Sequence, residues 1–186
     1  SLRSKTGAGL MECKKCLVET DGNEEEAITL LKKRGVATAA KRAGRDAGEG
    51  TIATYIHGAG RIGVMLELNC ETDFVAKNDE FKELAKDLCM QVAAASPLYV
   101  CREEVPVEII DKEKDIAAAQ AEGKPQPAID KIVAGKLDKF YQQVCLMEQT
   151  YIKDSSMTIQ DLMTAKIAKT GENMKIRRFA RFEVGA

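Results

Sequence analysis

The chain has 186 residues, with 28 basic and 29 acidic side chains and a formal net charge of −1. Its content of 45% hydrophobic and 31% charged residues is ordinary for a globular protein and excludes wholesale disorder. The near-neutral charge argues against direct nucleic-acid binding, and the absence of a long apolar run or an apolar signal segment predicts a cytoplasmic protein without membrane contact.

Signals for three short helices fill the first 45 residues. Leucine and cysteine side chains at helical spacing predict one helix over residues 9–19. Asn23 starts a second helix with a capping-box-like pattern, and Gly35 is the residue at which we expect that helix to end. A third short helix is expected over residues 36–43. Residues 1–45 are therefore predicted to form a small helical module.

Residues 46–186 are predicted to form a second domain, which follows a polar, glycine-containing linker. Alternating apolar and polar residues predict three antiparallel strands, at about residues 51–57, 61–70 and 174–184. Two antiparallel helices at about 104–141 are joined by a turn at Gly123, and they either cover the domain's own core or mediate dimerisation. The predicted fold class is α+β, with helices on an antiparallel sheet and an inserted helical hairpin.

Six cysteines and a single histidine limit the chemistry that the chain can perform. Cys13 and Cys16 have the spacing of a redox pair or of half a zinc site, but a closed zinc site needs four ligands, which are not evident. We expect six reduced thiols, with no metal, no cofactor and no catalytic residues. These features favour a binding protein, and a thiol oxidoreductase that uses Cys13 and Cys16 is kept as an alternative.

The dipeptide Asp73-Phe74 stands in a predicted polar loop, residues 71–77, directly after the second strand. A phenylalanine beside a carboxylate in a short loop allows two interpretations. Phe74 turns inward to cover the core while Asp73 caps a turn, or Phe74 projects outward and docks in a pocket of a partner. The residues alone leave both open.

Two long motifs resemble the signatures of the elongation factor Ts family. The first is Thr6-Gly-Ala-Gly-Leu-Met-Glu-Cys-Lys14, and the second is Asn69-Cys-Glu-Thr-Asp-Phe-Val-Ala-Lys-Asn78. Arg181-Phe-Glu-Val-Gly185 near the C-terminus and Gly123-Lys-Pro125 in the helical hairpin are also similar to the family. The resemblance covers essentially the whole chain in order.

This resemblance implies a function and a partner. Elongation factor Ts is the guanine nucleotide exchange factor for elongation factor Tu, so the chain is expected to bind that GTPase and to promote GDP release without covalent chemistry. Residues 1–45 would be a ubiquitin-associated-like module with a shortened first helix. The positions that match partner contacts of the family are Leu10, Met11, Lys14, His57, Thr72, Asp73, Phe74, Val75 and Ala76.

The resemblance also assigns roles to some of these positions. Asp73 and Phe74 match a pair that intrudes beside the magnesium site of elongation factor Tu, with Phe74 as an apolar wedge. His57 matches a histidine that touches elongation factor Tu in longer members of the family. Short members pair two chains, which implies a homodimer, in a bacterial cytoplasm or in an organellar matrix or stroma. A module that binds a partner without nucleotide exchange is a further alternative.

Overall fold

A computed structural model describes residues 1–186 as eight α-helices and five β-strands, which confirms the α+β class. The helices are α1 (Leu2–Thr6), α2 (Leu10–Glu19), α3 (Glu24–Arg42), α4 (Asp73–Lys77), α5 (Asp79–Ala95), α6 (Val107–Ala119), α7 (Gln126–Val144) and α8 (Ile159–Thr170). The strands are β1 (Glu49–His57), β2 (Ile62–Cys70), β3 (Thr150–Tyr151), β4 (Asp154–Thr158) and β5 (Met174–Glu183). No helix is both long and apolar enough to cross a membrane.

The three predicted strands form one antiparallel sheet in the order β1-β2-β5. Val64, Leu66 and Leu68 alternate along β2 and point to the inner face of the sheet, where α5 and α8 bury them. This inner face is the centre of the main hydrophobic core, a cluster of 20 buried residues. The outer face of the sheet is not covered by any helix, and it carries exposed apolar side chains such as Ile56 and Met65.

The predicted helix end at Gly35 is wrong, because α3 continues unbroken from Glu24 to Arg42. The second and third predicted helices are therefore one helix, and the three helices of the N-terminal segment are α1, α2 and α3. Gly35 lies where α3 packs against α8, and a Cβ atom placed on it would lie 3.6 Å from the Cβ of Ala168. A glycine inside a helix costs about 1 kcal/mol relative to alanine, which tertiary packing readily offsets.

A small hydrophobic cluster holds the three N-terminal helices together. Its buried members are Leu2, Cys13, Cys16 and Ala27. The second half of α3 leaves this cluster, and Ala39 packs against the main core instead. The division at residue 45 and the likeness to a ubiquitin-associated module stay predictions.

The inserted hairpin consists of α6 and α7, as predicted, and it ends at Val144 rather than near residue 141. Its base has its own small core of Val105, Tyr141 and Cys145. The guanidinium group of Arg102 lies 4.4 Å from the centre of the Tyr141 ring, a cation–π contact that closes this base.

The sequence patterns did not predict the two-stranded ribbon of β3 and β4. Two buried glutamines fix it to the core. Ile152 donates its backbone N–H to Gln91 at 2.9 Å, and Gln149 donates to the carbonyl oxygens of Ala95 and Gln143 at 3.2 and 2.9 Å. Buried amide groups need hydrogen-bond partners. The hydrogen bonds of Gln91 and Gln149 supply these partners and also join α5 to the ribbon.

Candidate partner-binding site

The segment that follows β2 is the one-turn helix α4 and not the predicted polar loop. Thr72 is its N-cap, and the Thr72 hydroxyl accepts a hydrogen bond from the backbone N–H of Val75 at 3.4 Å. Five helical residues are too few to show a helical period in the sequence, which is why the pattern indicated a loop. The capping threonine was the available signal.

The geometry of α4 places the Phe74 side chain in solvent. Val75 is buried in the main core, whereas its neighbour Phe74 is 80% exposed. Successive residues of a helix point about 100° apart, so the burial of Val75 turns Phe74 away from the core. The inward-turned interpretation of Phe74 is therefore wrong, and the side chain projects as its alternative requires.

Asp73 is exposed beside Phe74 and forms an ion pair with Lys77 of the same helix, at 2.6 Å. The hydrogen bond from Lys77 and its positive charge hold the pKa of the Asp73 carboxyl below its usual value. The carboxylate is thus charged at neutral pH. It stands next to an exposed aromatic ring, at the N-terminal end of α4.

A second group of predicted residues lies on α2. Leu10 and Met11 are 64% and 63% exposed, and Lys14 is exposed one turn later. These side chains line an open groove of about 740 Å³ whose other walls include Leu2 and Leu17. The structure thus brings Leu10, Met11 and Lys14 together on one apolar surface with a basic group.

His57 lies apart from the residues of α4. It ends β1, whereas Glu49, at the start of β1, pairs with Cys70 just before α4. Eight residues of strand separate these ends by about 27 Å. The Tyr55 hydroxyl lies 2.9 Å from Nδ1 of His57, so the tyrosine orients the exposed imidazole.

The structure gives the Cys13–Cys16 pair a place in the N-terminal core. Both side chains are buried, all six cysteines are free thiols, and no group of three or more potential ligands is arranged to hold a metal ion. Cys13 and Cys16 are 3% and 0% exposed and pack in the small core of the N-terminal helices, with Cys13 at the floor of the α2 groove.

Exposed apolar side chains next to charged groups are typical of surfaces that bind another protein. An exposed phenylalanine beside a carboxylate on α4, and an apolar groove on α2, give this α+β chain two surfaces of the kind found in protein-binding factors.

Comparison with known proteins identifies the family. The family model described as elongation factor TS matches residues 12–186. The chain is 58% identical to elongation factor Ts of Carboxydothermus hydrogenoformans over 186 residues, which cover 99% of this chain and 86% of that protein. It is also 58% identical to elongation factor Ts of Moorella thermoacetica over 187 residues, covering 100% and 92% of the two chains. For Thermotoga maritima elongation factor Ts the identity is 57% over 184 residues, covering 99% and 92%.

The chain therefore belongs to the elongation factor Ts family. Its role is that of a translation elongation factor in protein biosynthesis.

Proposed function

We propose that this chain is a guanine nucleotide exchange factor that binds elongation factor Tu in its GDP form and promotes release of GDP. The observation that carries the proposal is the exposure of Phe74, which is 80% accessible although it stands on a short helix anchored by buried Val75. An apolar side chain of this size gains free energy by leaving water, so it favours insertion into a partner. Family membership supplies the identity of that partner.

The mechanism follows from how GTPases hold their nucleotide. Phosphate contacts and a magnesium ion of near-octahedral geometry supply most of the affinity for GDP. Phe74 acts as a wedge that displaces elements around this ion, and Asp73 offers a carboxylate to polar groups nearby. Elongation factor Tu then binds the magnesium ion, and in turn the nucleotide, less tightly. No covalent bond forms or breaks, so the chain promotes exchange without enzyme chemistry of its own.

Exchange by this mechanism is reversible. If the factor weakens GDP binding by a given free energy, GDP weakens binding of the factor by the same amount. The factor therefore accelerates loading as well as release of nucleotide, and the excess of GTP over GDP sets the direction. An exchange factor of this kind acts where translation occurs, which for the bacterial relatives is the cytoplasm.

The groove on α2 gives the complex a second contact. Leu10 and Met11 supply apolar area and Lys14 supplies a positive charge at its edge. This surface anchors the factor on elongation factor Tu and contributes affinity, while Thr72 to Ala76 carry the exchange activity. His57 at the far end of β1 adds a separate polar contact.

The outer face of the sheet supports the proposal of a homodimer. Five exposed apolar side chains lie on this face and just beyond β5, beside an ion pair between Glu67 and Arg178: Ile52, Ile56, Met65, Phe182 and Val184. An uncovered apolar sheet face of this kind is rarely left in water. Two chains would bury it by pairing face to face. Light scattering at micromolar concentration tests this, and a monomeric mass would reject it.

Release of a fluorescent GDP analogue from elongation factor Tu, followed by stopped flow, tests the exchange function. We expect the wild-type chain to accelerate release by orders of magnitude, and the double variant D73A/F74A to lose most of this acceleration. Leu98→Ala is the matched control, because it removes an exposed apolar side chain away from α4 and should leave the rate unchanged.

Two results would contradict the exchange function. Binding of elongation factor Tu with an unchanged GDP lifetime would favour an interaction module without exchange activity. Full activity of the double variant D73A/F74A would remove the wedge from the mechanism, even if the wild-type chain accelerates release.

A further inference from the structure

The cap of α4 is held by a residue that lies 100 positions further along the chain. The Glu172 carboxylate accepts a hydrogen bond from the backbone N–H of Thr72 at 3.2 Å and another from the Thr72 hydroxyl at 2.7 Å. Glu172 belongs to the short loop between α8 and β5. Both donor groups of the capping residue therefore end on one carboxylate.

The residue before the cap is fixed by the same loop. Glu71 accepts a hydrogen bond from the backbone N–H of Asn173 at 2.6 Å and another from Arg45 at 3.3 Å. Asn173, which is buried, donates its side-chain amide to the carbonyl oxygen of Arg45 at 2.8 Å. The hydrogen bond from Asn173 is the main reason why the pKa of Glu71 lies below its usual value. Two successive residues, Glu71 and Thr72, are thus braced before α4 begins.

These contacts decide the direction of Phe74 because α4 is too short to stabilise itself. Isolated helices of fewer than about 12 residues are marginal in water, and α4 has five. Val75 and the partly buried Ala76 attach the helix to the core, the exposed Asp73–Lys77 pair adds little, and the cap fixes where the helix starts. The Glu172 carboxylate fixes the rotamer of the Thr72 hydroxyl, which in turn receives the N–H of Val75. The chain from Glu172 to Thr72 to Val75 sets the axis from which Phe74 projects.

We propose that Glu172 is a positioning residue for nucleotide exchange, which acts through Thr72 to hold Phe74 in the direction that it needs to enter the partner. This inference rests on the proposed exchange function. Hydrogen bonds to a charged acceptor are stronger than those between neutral groups. The two that Thr72 donates to Glu172 therefore restrict the backbone and side-chain orientation of Thr72. Glu172 and Thr72 lie near the surface, so removing the hydrogen bonds between them should change the global free energy of unfolding little. Because Phe74 is already oriented in the free protein, its side chain loses less conformational entropy when it enters the partner.

The test compares Glu172→Ala with wild type in the maximal rate of GDP release at saturating factor and in affinity for elongation factor Tu. We expect the maximal rate to fall about fivefold, on the order of the loss of hydrogen bonds to a charged acceptor at a partly exposed site. Affinity should change much less, because the α2 groove is untouched. Glu172→Gln keeps one acceptor oxygen for the Thr72 N–H and should recover part of the rate.

A double-mutant cycle with Phe74 separates positioning from a general structural effect. If Glu172 acts only through the wedge, the variant E172A/F74A releases GDP no more slowly than F74A alone. Glu80→Ala is the matched control. It removes a carboxylate that also bridges to a neighbouring element, in an ion pair with Lys169 of α8 at 2.6 Å, but it does not contact the cap. This control should exchange nucleotide at the wild-type rate.

Hydrogen exchange of the free protein gives a readout that does not need the partner. We expect the amides of residues 73–77 to exchange faster in Glu172→Ala than in wild type, and the amides of buried α5 to be unchanged. An unchanged maximal rate, an additive double-mutant cycle, or unchanged exchange at residues 73–77 would each overturn the inference. A wild-type chain that fails to accelerate GDP release would instead reject the exchange function itself, and hydrogen exchange would still decide whether Glu172 holds the helix.

Discussion

The ammonium group of Lys77 donates a hydrogen bond to the carboxylate of Asp73 at 2.6 Å, one turn earlier on α4. Both side chains are exposed, so the pair opens and closes easily and contributes little to stability. Its significance is local: it keeps the Asp73 carboxylate charged and gives it a nearby basic partner in the free protein. Lys77 occupies Oδ2 of this carboxylate, so a polar group of the partner can bind at Oδ1 or replace Lys77 at Oδ2.

Replacing Lys77 with methionine should raise the pKa of the Asp73 carboxyl toward its ordinary value. The hydrogen bond and charge of Lys77 are the main causes of the lowered pKa, and methionine keeps the apolar length of the side chain. A lowered pKa in the folded state means that the ion pair stabilises above the ordinary pKa and is lost as the pH falls through the lowered one. An NMR titration of Asp73 measures this directly.

The matched control for that titration is Lys82→Met. Lys82 forms an i,i+3 pair with Asp79 at 3.9 Å, too far for a hydrogen bond, and it does not contact Asp73. It should leave the Asp73 titration as in wild type. Equal shifts of the Asp73 pKa in Lys77→Met and Lys82→Met would show that the net charge of the chain, and not the ion pair with Lys77, lowers this pKa.

Phe74 and Phe81 allow a matched test of surface and core phenylalanines. Phe81 is 3% exposed, so Phe81→Ala should cost about 3–4 kcal/mol of unfolding free energy through lost burial and a cavity. Phe74→Ala should leave stability near wild type, yet reduce the GDP release rate more than it weakens binding to elongation factor Tu. Denaturant unfolding and stopped-flow release measure the two effects. An equal loss of rate and affinity in Phe74→Ala would contradict the wedge role.

Local patterns in the sequence were enough to predict the frame of the molecule. Alternating residues identified β2 because one face of that strand is buried and the other is not. Asn78 caps α5 and Thr158 forms a capping box with Asp161 at the start of α8, so these boundaries are encoded within four residues. The Asp73-Phe74 motif marked the position of the site but left the direction of Phe74 open.

The features that sequence reasoning missed depend on contacts between distant segments. Gly35 has the composition of a helix end, but its packing against Ala168 allows the helix to continue. The exposure of Phe74 depends on Val75 reaching the core, and the brace of Glu172 on Thr72 joins residues 100 positions apart. No periodicity or capping pattern carries such information, because it arises only when distant segments of the chain pack together.

Two glycines should respond in opposite directions to alanine. In Gly35→Ala the new Cβ makes an ordinary contact with Ala168 at 3.6 Å, and the helix gains propensity, so we expect stabilisation of about 0.5–1 kcal/mol. Gly50 has φ +153°, and a Cβ there would overlap the backbone carbonyl oxygen of Leu68. Gly50→Ala should therefore destabilise clearly. Thermal unfolding of both variants and the wild type measures these changes in stability. A destabilised Gly35→Ala would mean that the α3–α8 contact has no space for a methyl group.

Tyr151→Phe should lower stability at neutral pH and flatten its dependence on alkaline pH. The buried Tyr151 hydroxyl donates to the Asp87 carboxylate at 2.7 Å, and its loss should cost about 1–1.5 kcal/mol. Burial, followed by the hydrogen bond to Asp87, raises the pKa of Tyr151 above its ordinary value.

The sign of the pH dependence follows from that raised pKa. The contribution of Tyr151 is complete below the ordinary tyrosine pKa of about 10, and it is lost as the pH rises above that value. Urea unfolding between pH 7 and pH 11 should therefore bring wild type and Tyr151→Phe closer together as the pH rises. A constant difference over this range would contradict the assigned hydrogen bond.

Cys16→Ala distinguishes the exchange function from thiol oxidoreductase chemistry. Cys16 is fully buried, and its sulfur accepts a hydrogen bond from Arg34 at 3.4 Å, so the thiol packs in the small core of the N-terminal helices. We expect Cys16→Ala to cost about 1–2 kcal/mol of stability and to leave GDP release unchanged. A thiol oxidoreductase would instead lose its activity with this residue.

Titration of the wild-type chain with a thiol reagent complements the Cys16→Ala variant. Cys101 is the one cysteine that is partly exposed, so it should react first in the native chain. It should react slowly, because its partial burial, followed by the nearby Glu103 carboxylate, raises its pKa. The five buried thiols should react only after unfolding. Rapid modification of Cys13 or Cys16 in the native protein, together with loss of function in Cys16→Ala, would favour redox chemistry. Slow modification with full exchange activity would assign the Cys13–Cys16 pair to packing, because a catalytic thiolate must be accessible to its substrate.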